Sequence, residues 1–192
     1  MSFDMGDAWE TVMVAARDAR VVARLEGIYA RVGEEITARG PACWASGRCC
    51  NFRTAGHDLF VTLLEAAYCV QRARVGGDDV SAGDAGDRRV RLPQIGAGQI
   101  DSRDGALTRE AIDAAVARGD CPYLRGNLCG AHGVKPLGCR VYFCDATAEE
   151  WQHALTERML GEIRGLHVEF GIAYVYDEWR RQLSRCVGAD QR

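Results

Sequence analysis

Lysine is almost missing from this chain: of its 24 basic residues, only Lys135 is not an arginine. The skew reads as coding bias rather than as a demand for guanidinium chemistry. With 27 acids the formal charge is −3 and the pI is near 5.8, which argues against nucleic-acid binding driven by bulk positive charge. No nucleic-acid partner is expected. No apolar run approaches the ~18 residues of a membrane span, and MSFDMGDAWE opens acidic, without the basic n-region and apolar h-region of a secretory signal. The expected location is cytoplasmic, with no membrane partner. C-x-x-C is absent, which removes the usual dithiol redox motif. No D-x-[DN]-x-[DN]-G ladder marks a calcium loop, and the GAG at 96–98 lacks the third glycine of a dinucleotide fingerprint.

What the chain does have is cysteine. Seven of its nine fall in two patches about seventy residues apart: CWASGRCC, with Cys43, Cys49 and Cys50, and CPYLRGNLCGAHGVKPLGCRVYFC, with Cys121, Cys129, Cys139 and Cys144. In a reducing compartment this many cysteines point to metal rather than to disulfides, and an odd number fits a complete disulfide framework poorly. Polar, glycine-rich loops are also not where structural core cysteines collect.

The 192 residues fit a single domain, 1–192. The expected fold is mainly α, with helices flanking an irregular, cysteine-rich metal-binding core and few or no short strands. Residues 1–40 form an N-terminal helical arm, 41–146 the cysteine core with a surface loop at 75–106, and 147–192 the C-terminal helices. Apolar spacing from Trp9 to Ile36 predicts one long helix or two collinear ones, ended by Gly40-Pro41. A second helix is expected over 58–74, with Asp58 as N-cap and Cys69 buried inside it as a small hydrophobe. A short strand at 90–95 and an arginine cluster at Arg88, Arg89 and Arg91 fall in the loop. Thr108 caps a helix over 109–117, stopped by Gly119. Thr147 to Glu150 reads as a capping box opening a long helix striped by Trp151, Leu155, Met159, Ile163, Leu166 and Phe170. Asp177 begins a last helix carrying Cys186, read as a bystander. His153 and His167 read as ordinary helix-face residues. The arginine and glutamate rows of the N-terminal helix could dock a protein partner or a second copy, although such a stripe more often packs on its own domain.

Tetrahedral zinc and iron–sulfur sites need four donors, and thiolate is their soft ligand. Cys49 and Cys50 are adjacent and in an extended segment would point apart, suggesting two neighbouring centres or one non-ligand. Seven clustered cysteines plus His132 make eight donors, enough for two four-coordinate sites. The expected metal ligands are therefore Cys43, Cys49, Cys50, Cys121, Cys129, Cys139, Cys144 and His132, with His57 a second candidate for the eighth. Arg48, Arg53, Lys135 and Arg140 would offset thiolate charge. Zinc, favoured by base rate, and an iron–sulfur cluster both suit the set. No catalytic acid/base pair or nucleotide loop stands beside it, so no catalytic residue is assigned and enzymatic activity is left open.

At these residues the sequence resembles the YkgJ-like cysteine-cluster family, the zinc- or iron-chelating domain written CxxCxxCC. The match runs over about 43–144 and is carried by Cys121-Pro122-Tyr123-Leu124, Cys129, Pro136, Cys139-Arg140, Tyr142 and Cys144. It departs from the family pattern at Ser46, which replaces the second cysteine of the first motif, and at His132 and Lys135, where tyrosine and arginine are usual. The resemblance implies metal binding and no established reaction. A flagellin lysine methylase carries a related cluster, but no glycine-rich S-adenosylmethionine signature is present here. Two functions follow as expectations: a metal-binding protein holding zinc and/or iron through its cysteines, or a [4Fe–4S] protein acting in electron transfer or as an oxidoreductase.

Overall fold

The computed structural model describes residues 5–40, 46–75, 106–143 and 148–187. The strand expected at 90–95, the arginine cluster at 88–91, Cys43, Cys144 and Thr147 all lie outside those residues. The fold is mainly helical, as the periodicity predicts.

The N-terminal stretch is two helices, α1 (Met5–Ala15) and α2 (Ala19–Arg39). They part at Asp18, whose extended backbone and side-chain acceptor for Arg20 N–H (2.8 Å) make it the N-cap of α2. Gly27 and Gly33 sit inside α2 without breaking it. Gly40, left-handed at φ 61°, closes it by donating to Ile36 O. The stripe Val22, Leu25, Ile28, Tyr29 and Val32 is buried in the common core. The flanking charges are spent on α7 (Glu149–Glu169): Arg24 and Arg31 meet Glu162, and Glu35 meets Arg158. The N-terminal "arm" is thus part of the core, and several of its charges pair with α7.

The second helix begins later than Asp58 suggests. Residues Phe60–Thr62 form a short strand, β1, and α4 runs Leu63–Val75. Its cap is a reciprocal box: Thr62 Oγ1 accepts from Glu65 N–H (3.2 Å), and Glu65 Oε2 accepts from Thr62 N–H (3.0 Å). Residues 61–70 are buried on every side, which makes α4 the centre of the fold, and Cys69 within it is fully buried. α1 and the C-terminal α8 (Trp179–Val187) both pack on α4.

α5 (Arg109–Arg118) follows expectation, with Thr108 Oγ1 accepting from Ala111 N–H (3.2 Å) and Gly119 as C-cap. α7 starts with Ala148 in the cap position and no side-chain cap there. Tyr176–Glu178, expected partly as helix, is instead β4, antiparallel to β1 with Phe60 opposite Glu178. Glu178 then caps α8 through Oε2, which accepts from Arg181 N–H (3.1 Å).

His167 is not an ordinary surface residue. It is buried at the end of α7, and Nδ1 lies 3.3 and 3.1 Å from the carbonyl oxygens of Ile172 and Ala173, so Nδ1 carries the proton and donates. Burial holds its pKa below the ordinary 6.5. As pH falls, the ring takes up its second proton first in the unfolded chain. The stability contributed by the neutral ring is therefore present above pH 6.5 and lost as pH drops toward the lower folded value. Denaturant titrations at neutral and mildly acidic pH should show that loss, and His167→Gln should show less of it.

Candidate metal centre

The first patch is a turn. Gly47, left-handed at φ 70°, leads into a 3₁₀ turn at Arg48–Cys50, and Asn51 caps the short α3 (Phe52–Ala55) by accepting from Thr54 N–H at 3.0 Å. This corrects the extended geometry expected of the Cys49-Cys50 pair. A 3₁₀ turn separates successive side chains by about 120° rather than 180°, and the two sulfurs stand 4.0 Å apart. Adjacency therefore does not force two centres. Ser46 is exposed, and its Oγ accepts from Arg48 N–H at 3.3 Å.

The second patch is laid against the first by backbone. Arg53 N–H donates to Gly119 O (2.9 Å) and Cys121 N–H donates to Cys50 O (2.8 Å). A minimal hairpin follows, β2 (Leu124–Arg125) and β3 (Leu128–Cys129), turning through Gly126-Asn127 and returning Cys129 opposite Leu124. Its turn presses on Gly47, where a Cβ would lie 3.0 Å from Asn127 Cα. Gly47→Ala combines that collision with a left-handed φ and should cost about 1–3 kcal/mol. Chemical denaturation measures it; an unchanged stability would mean the patches do not meet at this turn.

The Cys50 thiol is the hub. Its sulfur stands 4.0 Å from Cys49 Sγ, and the neighbouring thiols of Cys121, Cys129 and Cys49, together with burial, push its pKa up. The same proximity lowers the partners, to about 6 for Cys49 and about 7 for Cys129, and lowers Cys121 as well. Lys135, the one lysine of the chain, assists at Cys49 and Cys129. Cys139, on α6 (Leu137–Val141), lies within electrostatic reach of Cys49, Cys121 and Cys129, and burial raises its thiol pKa. Burial raises the thiol pKa of Cys69, which lies beside the buried Tyr123 hydroxyl.

Two held side chains were not legible as site residues. Glu65 is buried and accepts from Tyr29 Oη (3.1 Å) and Leu137 N–H (2.9 Å) through Oε1, and from Thr62 N–H and Oγ1 (3.0 Å each) through Oε2. It thereby fastens the start of the Cys139 helix to α4. The T-x-x-E spacing at 62–65 was the available signal for its capping half. Trp179 Nε1 donates to Cys121 Sγ at 3.4 Å, a contact no local pattern announces.

The expected ligands are placed unevenly. Cys49, Cys50, Cys121 and Cys129 meet, with Cys139 close by, whereas Cys43 and Cys144 lie outside the described residues. His132 is exposed, and its Nε2 accepts from Lys135 Nζ at 3.2 Å. The His57 ring stacks on Tyr142 at 4.8 Å and lies against the Cys49 backbone, with Nδ1 buried and unpaired. Arg140 is drawn away from the thiols, over the Tyr29 ring at 4.0 Å, and donates to Gly133 O. A cleft of about 340 Å³ opens beside the first patch between Arg53, His57 and Arg180, but Arg180 is already paired with Asp58 and Glu178.

Among the described residues, no group of three or more His, Cys, Asp or Glu side chains has the closed geometry of a metal site. The thiols of Cys49, Cys50, Cys121 and Cys129 are still the donor type that a thiophilic metal takes. No family model, curated protein or solved structure matches the chain. No helix of the described residues is long and apolar enough to cross a membrane.

Proposed function

We propose that this is a metal-binding protein of the YkgJ-like type, working in a reducing compartment such as the cytoplasm, and that Cys49, Cys50, Cys121 and Cys129 supply the central donors for zinc and/or iron. One observation carries the reading. Two cysteine patches about seventy residues apart are stitched by the Cys121 N–H to Cys50 O bond, which brings the thiols of Cys49, Cys50, Cys121 and Cys129 near enough to shift one another's pKa, three of them downward. Cys139, Cys43 and Cys144 are the further donors, and His57 is better situated than His132 to add a nitrogen. A bound metal would cross-link the two loops and, as an iron–sulfur cluster, would supply an electron carrier. The chain's own residues orient the sulfurs and offset their charge through Lys135.

Full-length protein purified without oxygen should carry at least one equivalent of zinc or iron by elemental analysis. Absorbance near 400 nm would assign it to the iron–sulfur form, and a colourless zinc protein to the other. Protein purified without oxygen that holds neither metal, and that takes up neither on reconstitution, contradicts the reading.

A further inference from the structure

Trp179 opens α8 and is 1% exposed, and its indole N–H points at Cys121 Sγ from 3.4 Å. An indole nitrogen can only donate, and a neutral thiol is a weak acceptor where a thiolate is a stronger one. Burial alone does not guarantee an indole a partner in this fold: Trp9 Nε1 is buried with none. The placement of Trp179 is fixed from outside the cysteine loops. Its backbone N–H donates to Leu59 O at 2.8 Å, directly after the β4 segment that pairs with β1, and its ring packs at 6.2 Å from Tyr123. Cys121 is in turn tied to Cys50 through its own N–H. A donor fixed by the rigid β1–β4 ribbon therefore meets a sulfur fixed by the first patch.

We propose that Trp179 is a positioning residue of the metal centre: its indole N–H donates to the Cys121 sulfur, holds that sulfur toward Cys50, and raises the affinity for a thiophilic divalent cation. This rests on the metal-binding reading above. Outer contacts of this kind typically change metal affinity about 10–100-fold.

The test uses full-length protein reduced and handled without oxygen. Zn²⁺ affinity is measured by chelator competition in the wild type and in Trp179→Phe, which keeps an aromatic ring and removes the N–H. The variant should bind about tenfold more weakly or worse. In ¹⁵N-labelled wild type, adding ¹¹³Cd²⁺ should shift the Trp179 indole N–H resonance downfield and give it a measurable coupling to cadmium, a signature that a purely structural tryptophan would not acquire. Should Trp179→Phe fail to fold, the wild-type resonance decides alone. Equal zinc affinity in the variant, or a wild-type indole resonance that neither moves nor couples when cadmium binds, overturns the inference and leaves the metal reading standing. A wild type that takes up neither ion overturns the inference, and the metal content of the purified protein then decides the reading beneath it.

Discussion

Glu65→Ala should destabilise the protein by about 3–5 kcal/mol. The carboxylate is buried, and four donors converge on it: Tyr29 Oη, the N–H and hydroxyl of Thr62, and Leu137 N–H. Removing it leaves those donors in a dry interior, where each unsatisfied group costs about 1–3 kcal/mol before relaxation. It also removes half of the box that starts α4. Glu65→Gln should fall between wild type and alanine, because one amide oxygen still accepts while its NH₂ group confronts a donor. Urea denaturation gives the energies. Amide exchange at Leu137 locates the effect, since that N–H loses its acceptor directly. A loss below about 1 kcal/mol for Glu65→Ala would show that the network does not hold α6 to α4.

Cys50→Ser should lower metal affinity by more than about 100-fold, beyond the range reached by outer-shell changes. The Cys50 thiol neighbours those of Cys49, Cys121 and Cys129, and its carbonyl also anchors Cys121. Serine keeps the backbone bond and roughly the shape while replacing a soft donor with a hydroxyl, so the loss reports on ligation rather than on the join between patches. Cys186→Ala, at a buried cysteine of the last helix, should retain its metal. Elemental analysis of the three proteins prepared side by side is the readout. A fully loaded Cys50→Ser protein would remove Cys50 from the donor set.

The helices were legible where apolar spacing and caps are local: α2 ends at Gly40, α5 begins at Thr108, and the stripe of α7 is buried at Leu155, Met159, Ile163 and Leu166. The misplacements share a cause. Asp58 resembled a cap and Asp177 a helix start, but Asp58 stands just before β1 and Asp177 lies within β4, and those paired strands are more than a hundred residues apart in the chain. Pairing across that distance leaves no periodicity in either segment. The cysteine patches were legible as a site by composition. The 3₁₀ turn that swings the Cys49 and Cys50 sulfurs to 4.0 Å was not, because alternation of side chains was assumed where Gly47 had already turned the backbone. His132 was placed by spacing alone, whereas its ring meets Lys135 at the surface. Trp179 and Glu65 act on the site through tertiary contacts that only the fold creates.

The central claim is that sulfur from both patches ligates one metal centre, and X-ray absorption at the metal K-edge of the anaerobically purified protein tests it most directly. The account predicts a first shell dominated by sulfur, with zinc–sulfur distances of about 2.3 Å if the metal is zinc. It also predicts that this sulfur shell is lost or thinned in both Cys50→Ser and Cys121→Ser. A shell made only of nitrogen and oxygen, or one left unchanged by both substitutions, would contradict it.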